Sequence, residues 1–212
     1  YRDALDVFKR ALGIIVRGGD RLRASLIYNN LAGVYGECGR FEKAAKFLRE
    51  AIRIQDRAGE RWMSSSYANL AAVLISLREY DEAEEWVDRA LALVRDLGER
   101  NVEPRELPSC LAVAAELYVQ QGRYEEALEL AREAQSFSRS LSGEAVRIHA
   151  QVMRVLGMSF MAMGEYADAR GSLDEAASAL ESVGAIRGKA AKELELVRAE
   201  QSKLPTGSSP AL

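Results

Sequence analysis

The stretch Asn30–Ala44, NLAGVYGECGRFEKA, decides the fold, because the chain writes it again and again. Residues 69–83 read NLAAVLISLREYDEA, residues 114–127 read AAELYVQQGRYEEA, and residues 155–169 read VLGMSFMAMGEYADA. The closing alanines, Ala44, Ala83, Ala127 and Ala169, are 39, 44 and 42 residues apart. Tyr1-Arg2-Asp3-Ala4 is the same phrase once more, forty residues before Ala44. A fixed period of this length marks one supersecondary unit stacked on copies of itself.

The physics of one unit is readable from its spacing. Tyr28, Leu31, Ala32 and Tyr35 fall at i, i+3, i+4 and i+7, one face of a helix. Gly36 and Gly39 interrupt that helix, with Gly39 suited to a helix C-cap or tight turn. Phe41, Ala44, Leu48 and Ala51 restart the same period on a second helix. Small residues at Ala32, Ala44 and Ala51 let the two backbones approach closely. The unit is a helical hairpin with one apolar face per helix. Alone it cannot bury both faces, whereas stacked on a copy it can. The expected fold class is therefore all-α, a solenoid of helical hairpins.

These residues resemble the tetratricopeptide repeat (TPR) family, whose pattern is aromatic-x-x-L-G-x-x-Y followed by A-x-x-x-F and often Pro. The matching positions are Tyr28, Leu31, Ala32, Tyr35, Ala44 and Leu48 in the first unit and Tyr67, Leu70, Ala71, Leu74, Ala83 and Val87 in the second. The third unit offers Leu111, Ala114, Ala115, Tyr118, Ala127 and Ala131, and the fourth Met153, Leu156, Gly157, Phe160, Ala169 and Leu173. The closing Pro is missing throughout; Asp56, Arg95 and Glu181 stand near its place. The period exceeds the family's usual 34. Long-helix repeats of this kind are similar to those of kinesin light chain, of LGN-like spindle-orientation scaffolds and of the sensor arms of large bacterial regulators. The resemblance implies a right-handed α-solenoid whose first helices line a concave face.

The repeat also sets the expected organisation: one superhelix over residues 1–203 and a flexible tail over 204–212. Residues 1–18 form a half repeat, because Ala4, Leu5, Phe8, Ala11 and Leu12 read as a second helix without its first. The full repeats span 20–58, 59–98, 104–140 and 143–182. A Lys- and Glu-rich helix over 185–203 reads as the polar cap a solenoid needs. The junction 101–110, NVEPRELPSC, with Pro104 and Pro108, is the expected place for a bend. The half repeat and the linker-like tail together suggest a fragment of a larger protein.

Composition narrows the function classes. The chain is 48% hydrophobic and 29% charged with a net charge of -3, both signs interspersed, so it lacks the basic field that nucleic acid binding needs. No apolar run of 18 residues offers a membrane span, and the charged, amphipathic YRDALDVFKR is no signal peptide. Two cysteines, Cys38 and Cys110, make no disulfide framework, which points to a reducing cytoplasm. Arg outnumbers Lys in an Ala-rich chain, which suggests a GC-rich bacterial gene.

Catalytic constellations are missing from the sequence. His149 is the only histidine and has no ligand-spaced partner, so no catalytic, metal or cofactor site is expected. Gly157-Met158-Ser159 falls mid-helix and is no nucleophile elbow. The acids Glu42, Asp81, Glu82, Glu125, Glu126 and Asp168 recur early in second helices, where they complement the helix dipole. Arg40 and Arg123, after the turn glycines, read as structural. The chain is expected not to be an enzyme.

What remains is the concave face. The family's pattern puts Asn29, Asn30, Ser65, Asn69, Glu116, Val119, Arg154, Met158 and Met161 on a partner-binding groove. Asn30 and Asn69 fall at matching places, where the kinesin-light-chain-like and LGN-like repeats use an Asn to bind the backbone of an extended peptide. A carboxamide suits this, with a donor, an acceptor and no charge to desolvate; the same residue also serves as a plain interhelical Asn. Val113 and Val155 replace it in the later units, which confines such a clamp to the N-terminal half. Val113, Val119, Val155, Met158 and Met161 are expected to form either an exposed apolar partner patch or part of the core. Arg154 beside them is expected to pair with a ligand carboxylate. The family's charged chaperone clamp is not reproduced, since Asn29 stands where Lys is expected and Gly33 where Asn is. The expected function is a non-catalytic protein- or peptide-binding module, a sensor or scaffold piece of a larger bacterial regulator. The alternatives are a sensor of a small ligand or signalling peptide, and a self-assembling spacer that dimerises through its exposed end helix.

Overall fold

Each hairpin turn is closed by the same pair of backbone hydrogen bonds. In the first, the Gly39 N–H reaches the Gly36 carbonyl at 3.0 Å and the Arg40 N–H reaches the Tyr35 carbonyl at 2.9 Å. Arg78 and Glu79 repeat this onto Ile75 and Leu74, Gly122 and Arg123 onto Val119 and Tyr118, and Gly164 and Glu165 onto Met161 and Phe160. This is the Schellman closure, which satisfies the orphan carbonyls of a helix end by turning one residue left-handed. Gly39, Gly122 and Gly164 have φ of 69°, 77° and 80°, a region open to glycine. The second turn puts Arg78 there instead, at φ 62°.

The computed structural model describes residues 1–58, 64–98, 103–184 and 188–205. Among them the chain forms ten α-helices and one 3₁₀ turn, Gly143–Ala145, with no strand. Helix α1 is Arg2–Arg17. Four hairpins follow: α2 (Arg21–Glu37) with α3 (Phe41–Ala58), α4 (Ser64–Leu77) with α5 (Tyr80–Leu97), α6 (Glu106–Gln120) with α7 (Tyr124–Ser138), and α8 (Val146–Ala162) with α9 (Tyr166–Ser182). Helix α10, Gly188–Gln201, closes the series. The fold is an all-α solenoid. The bend expected at 101–110 and the cap expected from 185 fall partly outside the described residues, and so does all of the tail beyond Pro205. Leu204, at the head of that tail, is buried rather than free.

The core follows the repeat. Ala44, Ala83, Ala127 and Ala169 are fully buried, as are Leu31, Leu70 and Ala114 at the matching place on the first helices. Within each hairpin the small residue of one helix faces the larger one of the next, which lets the two axes close up. Aromatic rings fill the wider gaps: Phe47 stacks on Tyr28 and Tyr35 with centroids 5.8 and 5.4 Å away, and Tyr67 meets Trp86 at 5.3 Å. The outer helices are laced by ion pairs such as Arg49–Glu82 at 2.8 Å and Arg123–Glu84 at 2.8 Å. Arg123 also lies over the Tyr118 ring at 3.8 Å, in the structural role expected of it. Such exposed pairs contribute little each, about 0–1 kcal/mol.

First helices contact first helices, α4 on α6, α6 on α8 and α8 on α10, so they share one concave wall. Helix α10 packs on α8 and α9 in the place a further first helix would take, and it also reaches α2 across the concavity. The Lys189 ammonium sits 3.4 Å from where a Cβ on Gly33 would be. The superhelix is thus nearly closed on itself, and its inner space is divided into pockets rather than left as one open trough.

Candidate binding groove

The inner space has two connected clefts. The larger, about 930 Å³, is walled by the N-terminal parts of α4, α6, α8 and α10 and by Asn30 of α2. The smaller, about 240 Å³, lies between the C-terminal half of α2, α4 and α10. Asn69, Arg147 and Lys189 line both.

Three of the sequence-derived candidates meet in the larger cleft: Asn30, Ser65 and Asn69, all exposed. They stand there because the i, i+3, i+4 apolar pattern of α2 and α4 turns Leu31 and Leu70 into the core and leaves the preceding residue on the inner rim. Asn29 is half-buried and sits on the wall of the smaller cleft. Its amide donates to Ser66 at 2.6 Å, Ser66 donates to Gln55 at 2.9 Å, and the Asn29 carbonyl accepts from the Asn69 amide at 3.4 Å. Asn29 is therefore an interhelical tie. That same bond holds the Asn69 amide against Asn29.

Of the two readings left open for the apolar residues of the later units, the core one holds for Val113 and Val155. Val113 is 5% exposed and Val155 is fully buried, both inside the hydrophobic core. The superhelix curls tightly enough that neighbouring first helices cover these positions. Val119 and Met161 are half-buried against the same core.

Arg154 departs from expectation most clearly. It is 4% exposed and already paired. Its Nε donates to Glu193 of α10 at 2.6 Å and its NH2 to both oxygens of Glu116 at 3.1 Å, while NH1 reaches the Met158 sulfur at 3.2 Å. Burial alone would weaken the guanidinium's hold on its proton; Glu116 and Glu193 reverse this and raise it above the ordinary value. Gln151 donates to Glu116 at 3.2 Å and completes the knot. Arg154, Glu116 and Glu193 thus tie α8, α6 and α10 together, with Met158 beside them on α8, and the Arg154 charge is already paired.

Sequence reading missed the cations of the larger cleft: Arg105 at the N-cap of α6, Arg147 in the first turn of α8 and Lys189 in the first turn of α10. A signal existed. Second helices start with acids, as the dipole favours, whereas α8 and α10 have no acid in their first turns and carry bases there. Among the described residues Glu106 is the one acid lining that cleft, and it accepts from Ser64 at 2.5 Å and from Ser65 at 3.5 Å.

One arrangement resembles a nucleophilic relay. His149 has Ser138 Oγ 3.0 Å from Nδ1 and Glu175 3.0 Å from Nε2. Ser138 is completely buried, so no substrate carbonyl reaches its hydroxyl. The chain of bonds ties α7, α8 and α9 together. Among the described residues no group of three or more His, Cys, Asp or Glu is placed to hold a metal ion. No described helix is long and apolar enough to cross a membrane.

Comparison with known proteins matches this architecture. Family models described as tetratricopeptide repeat match residues 1–57, 64–97 and 108–133, together more than half of the chain. No curated protein sequence matches. Among solved structures, BtubC (BKLC) from P. vanneervenii is similar over 100% of this chain and 79% of its own, with 22% identity and a TM-score of 0.66. A putative kinesin light chain with nearly identical TPR-like repeats from Podosopora anserina is similar over 86% of this chain and 88% of its own, at 17% identity and a TM-score of 0.60. A signal transduction ATPase with a tetratricopeptide repeat sensor from Pyrococcus horikoshii is similar over 91% of this chain and 30% of its own, at 19% identity and a TM-score of 0.62. At these identities the likeness is one of fold.

Proposed function

Because the chain belongs to the tetratricopeptide repeat family, we propose that it is a non-catalytic interaction module that binds an extended protein or peptide segment in its concave groove. The observation that carries this reading is the pair of exposed carboxamides, Asn30 and Asn69, on adjacent first helices at one wall of the larger cleft. An extended backbone offers an N–H and a C=O at each residue, and each carboxamide can answer both. Fold analogy alone would not assign a function; these two side chains are what supports the reading. Polar and apolar groups share the cleft's wall, which suits both the backbone and the side chains of a bound segment.

We assign the module to a larger regulatory protein, most simply a bacterial one, in which partner binding on the repeats is passed to an effector. A protein similar in fold is described as a signal transduction ATPase with a tetratricopeptide repeat sensor. The two free thiols suit a reducing cytoplasm. A second reading, self-association through the end helix, is favoured by one observation: Val7 and Ile14 of α1 are 63% and 65% exposed on one stripe.

The test is capture of partners from a lysate of the source organism on wild type and on an Asn30→Ala/Asn69→Ala variant. A partner held by wild type and lost by the folded variant supports groove recognition. A partner held equally by both sinks it. Light scattering across a concentration series decides self-association, which requires the mass to double and Val7→Ser/Ile14→Ser to abolish the doubling.

A further inference from the structure

Three cations stand around the smaller cleft: Arg147 of α8 and Lys189 and Lys192 of α10. None has a carboxylate partner among the described residues, whereas Glu193 on the same wall is taken by Arg154. Glu37, the other acid among the described lining residues, makes no ion pair with them. The Lys189 side chain crosses from α10 to α2 and brings its ammonium against Gly33. Surrounding protein, and then the Arg147 charge, hold that ammonium below the ordinary lysine value, with Glu37 offsetting part of this. A cation in such a place gains from an anion brought to it, and gains more where apolar walls keep water away.

The walls are apolar, and the packing of the chain does not explain them. Gly33 and Gly36 of α2 line the cleft with Ala72 and Val73 of α4 and Leu196 of α10. Neither glycine has the positive φ of the turn glycines, and both lie within a helix that alanine would strengthen. A Cβ on Gly36 would meet nothing within 4 Å, and one on Gly33 would meet only the end of the Lys189 side chain, 3.4 Å from its ammonium. No neighbouring helix therefore demands a glycine at 36. Leu196 is 41% exposed, a large apolar group lining the same space.

We infer that the smaller cleft binds a small carboxylic acid with an apolar body, its carboxylate between Arg147 and Lys189 and its hydrocarbon over Gly33, Gly36 and Val73. The charge complement calls for the acid, and the walls call for the hydrocarbon. Size follows from the volume. The cleft's 240 Å³ is the space of roughly eight liquid waters, so a ligand of about eight heavy atoms fits. Such a molecule touches α2, α4 and α10 at once and fastens the end helix across the concavity. The site lies apart from Asn30 and Ser65 of the larger cleft, and the inference does not rest on the peptide reading.

The test is calorimetric titration and thermal melting of the whole chain with hexanoate, with its neutral amide hexanamide and with inorganic phosphate. Hexanoate is expected to bind at millimolar concentration and to raise the Tm, and hexanamide to bind at least about tenfold more weakly. Lys189→Met keeps the length of the stem and removes the charge. It is expected to bind hexanoate about tenfold more weakly, with its own Tm unchanged. Gly36→Leu puts a side chain where nothing stands in its way. Its own Tm is expected to hold or rise while hexanoate binding vanishes, which separates a filled site from a misfolded one. Equal binding of hexanoate and hexanamide overturns the role of the cations. Undiminished binding by Gly36→Leu overturns the cleft as the site. Phosphate binding as tight as hexanoate overturns the apolar body in favour of a plain anion site. Neither heat nor a melting shift from hexanoate at millimolar concentration overturns the inference as a whole, and leaves partner capture at Asn30 and Asn69 to its own test.

Discussion

The Arg154 guanidinium holds the Glu193 carboxylate at 2.6 Å, with both side chains more than nine-tenths buried, and so joins α8 to α10. Glu116 shares the same cation from α6 at 3.1 Å. A buried ion pair adds little over a well-packed apolar one, but removing one partner strands the other. Glu193→Ala should therefore destabilise the protein by about 2–3 kcal/mol, below the full cost of an orphaned charge because Glu116 remains. Urea denaturation measures the loss, and limited proteolysis should show α10 released first. Replacing Arg154 and Glu193 together by Met and Leu should recover most of the stability. A Glu193→Ala cost under about half a kcal/mol would mean that α10 is held by Leu194 and Val197 alone.

Arg78 occupies, at φ 62°, the left-handed position that glycine fills in the three sister turns. A side chain there costs about 1–2 kcal/mol, part of which glycine returns as unfolded-chain entropy. Arg78→Gly should raise stability by about 0.5–1 kcal/mol. Gly39→Ala and Gly122→Ala should lower it by a similar amount. Thermal melting of the three variants gives the signs, and a destabilised Arg78→Gly would show that the Arg side chain makes a contact that outweighs the strain.

The architecture was legible because the repeat states the same physics four times. Leu31 and Leu70 recur one residue after an inner-rim Asn, and the turn residue after each first helix recurs with them. The resemblance to the repeat family put Asn30, Ser65 and Asn69 on the inner face, and all three line the larger cleft. Arg154 was misread, and Val113 and Val155 were left open between patch and core, for one common reason. A local pattern gives the direction in which a side chain leaves its helix, but not how tightly successive hairpins curl. The curl brings α10 over α8 and α6, which turns an inward-facing Arg into a buried tie and two inward-facing Val residues into core. The cation rim was missed because Arg105, Arg147 and Lys189 stand at irregular spacings in loops and first turns, and only the superhelix brings them together.

Gly157 and Gly171 are both mid-helix glycines, yet they should respond to alanine with opposite signs. A Cβ on Gly157 would stand 2.7 Å from Leu173 Cγ, 2.9 Å from its Cδ2 and 3.3 Å from the Ala169 carbonyl oxygen. A Cβ on Gly171 would meet nothing within 4 Å. Alanine gains about 1 kcal/mol of helix propensity at either site. At 157, forcing α8 and α9 apart costs more, about 1–3 kcal/mol. Gly171→Ala should raise the urea midpoint and Gly157→Ala should lower it. Equal stabilisation by both would mean that Leu173 repacks freely.

The two thiols should differ sharply in reactivity. Cys38 is exposed after the end of α2, whereas Cys110 is 2% exposed in α6. Burial, with a smaller contribution from the Glu106 charge, pushes the Cys110 thiol up to about 12. A raised value keeps the group protonated until the pH reaches it, so at pH 8 only about one molecule in ten thousand carries the reactive thiolate. Iodoacetamide at pH 8 should label Cys38 within minutes and leave Cys110 untouched until α6 opens, with the peptide mass map reading both sites. Labelling of Cys110 at the rate of Cys38 would contradict the closed packing of α6 against its neighbours, and with it the wall that the groove is built on.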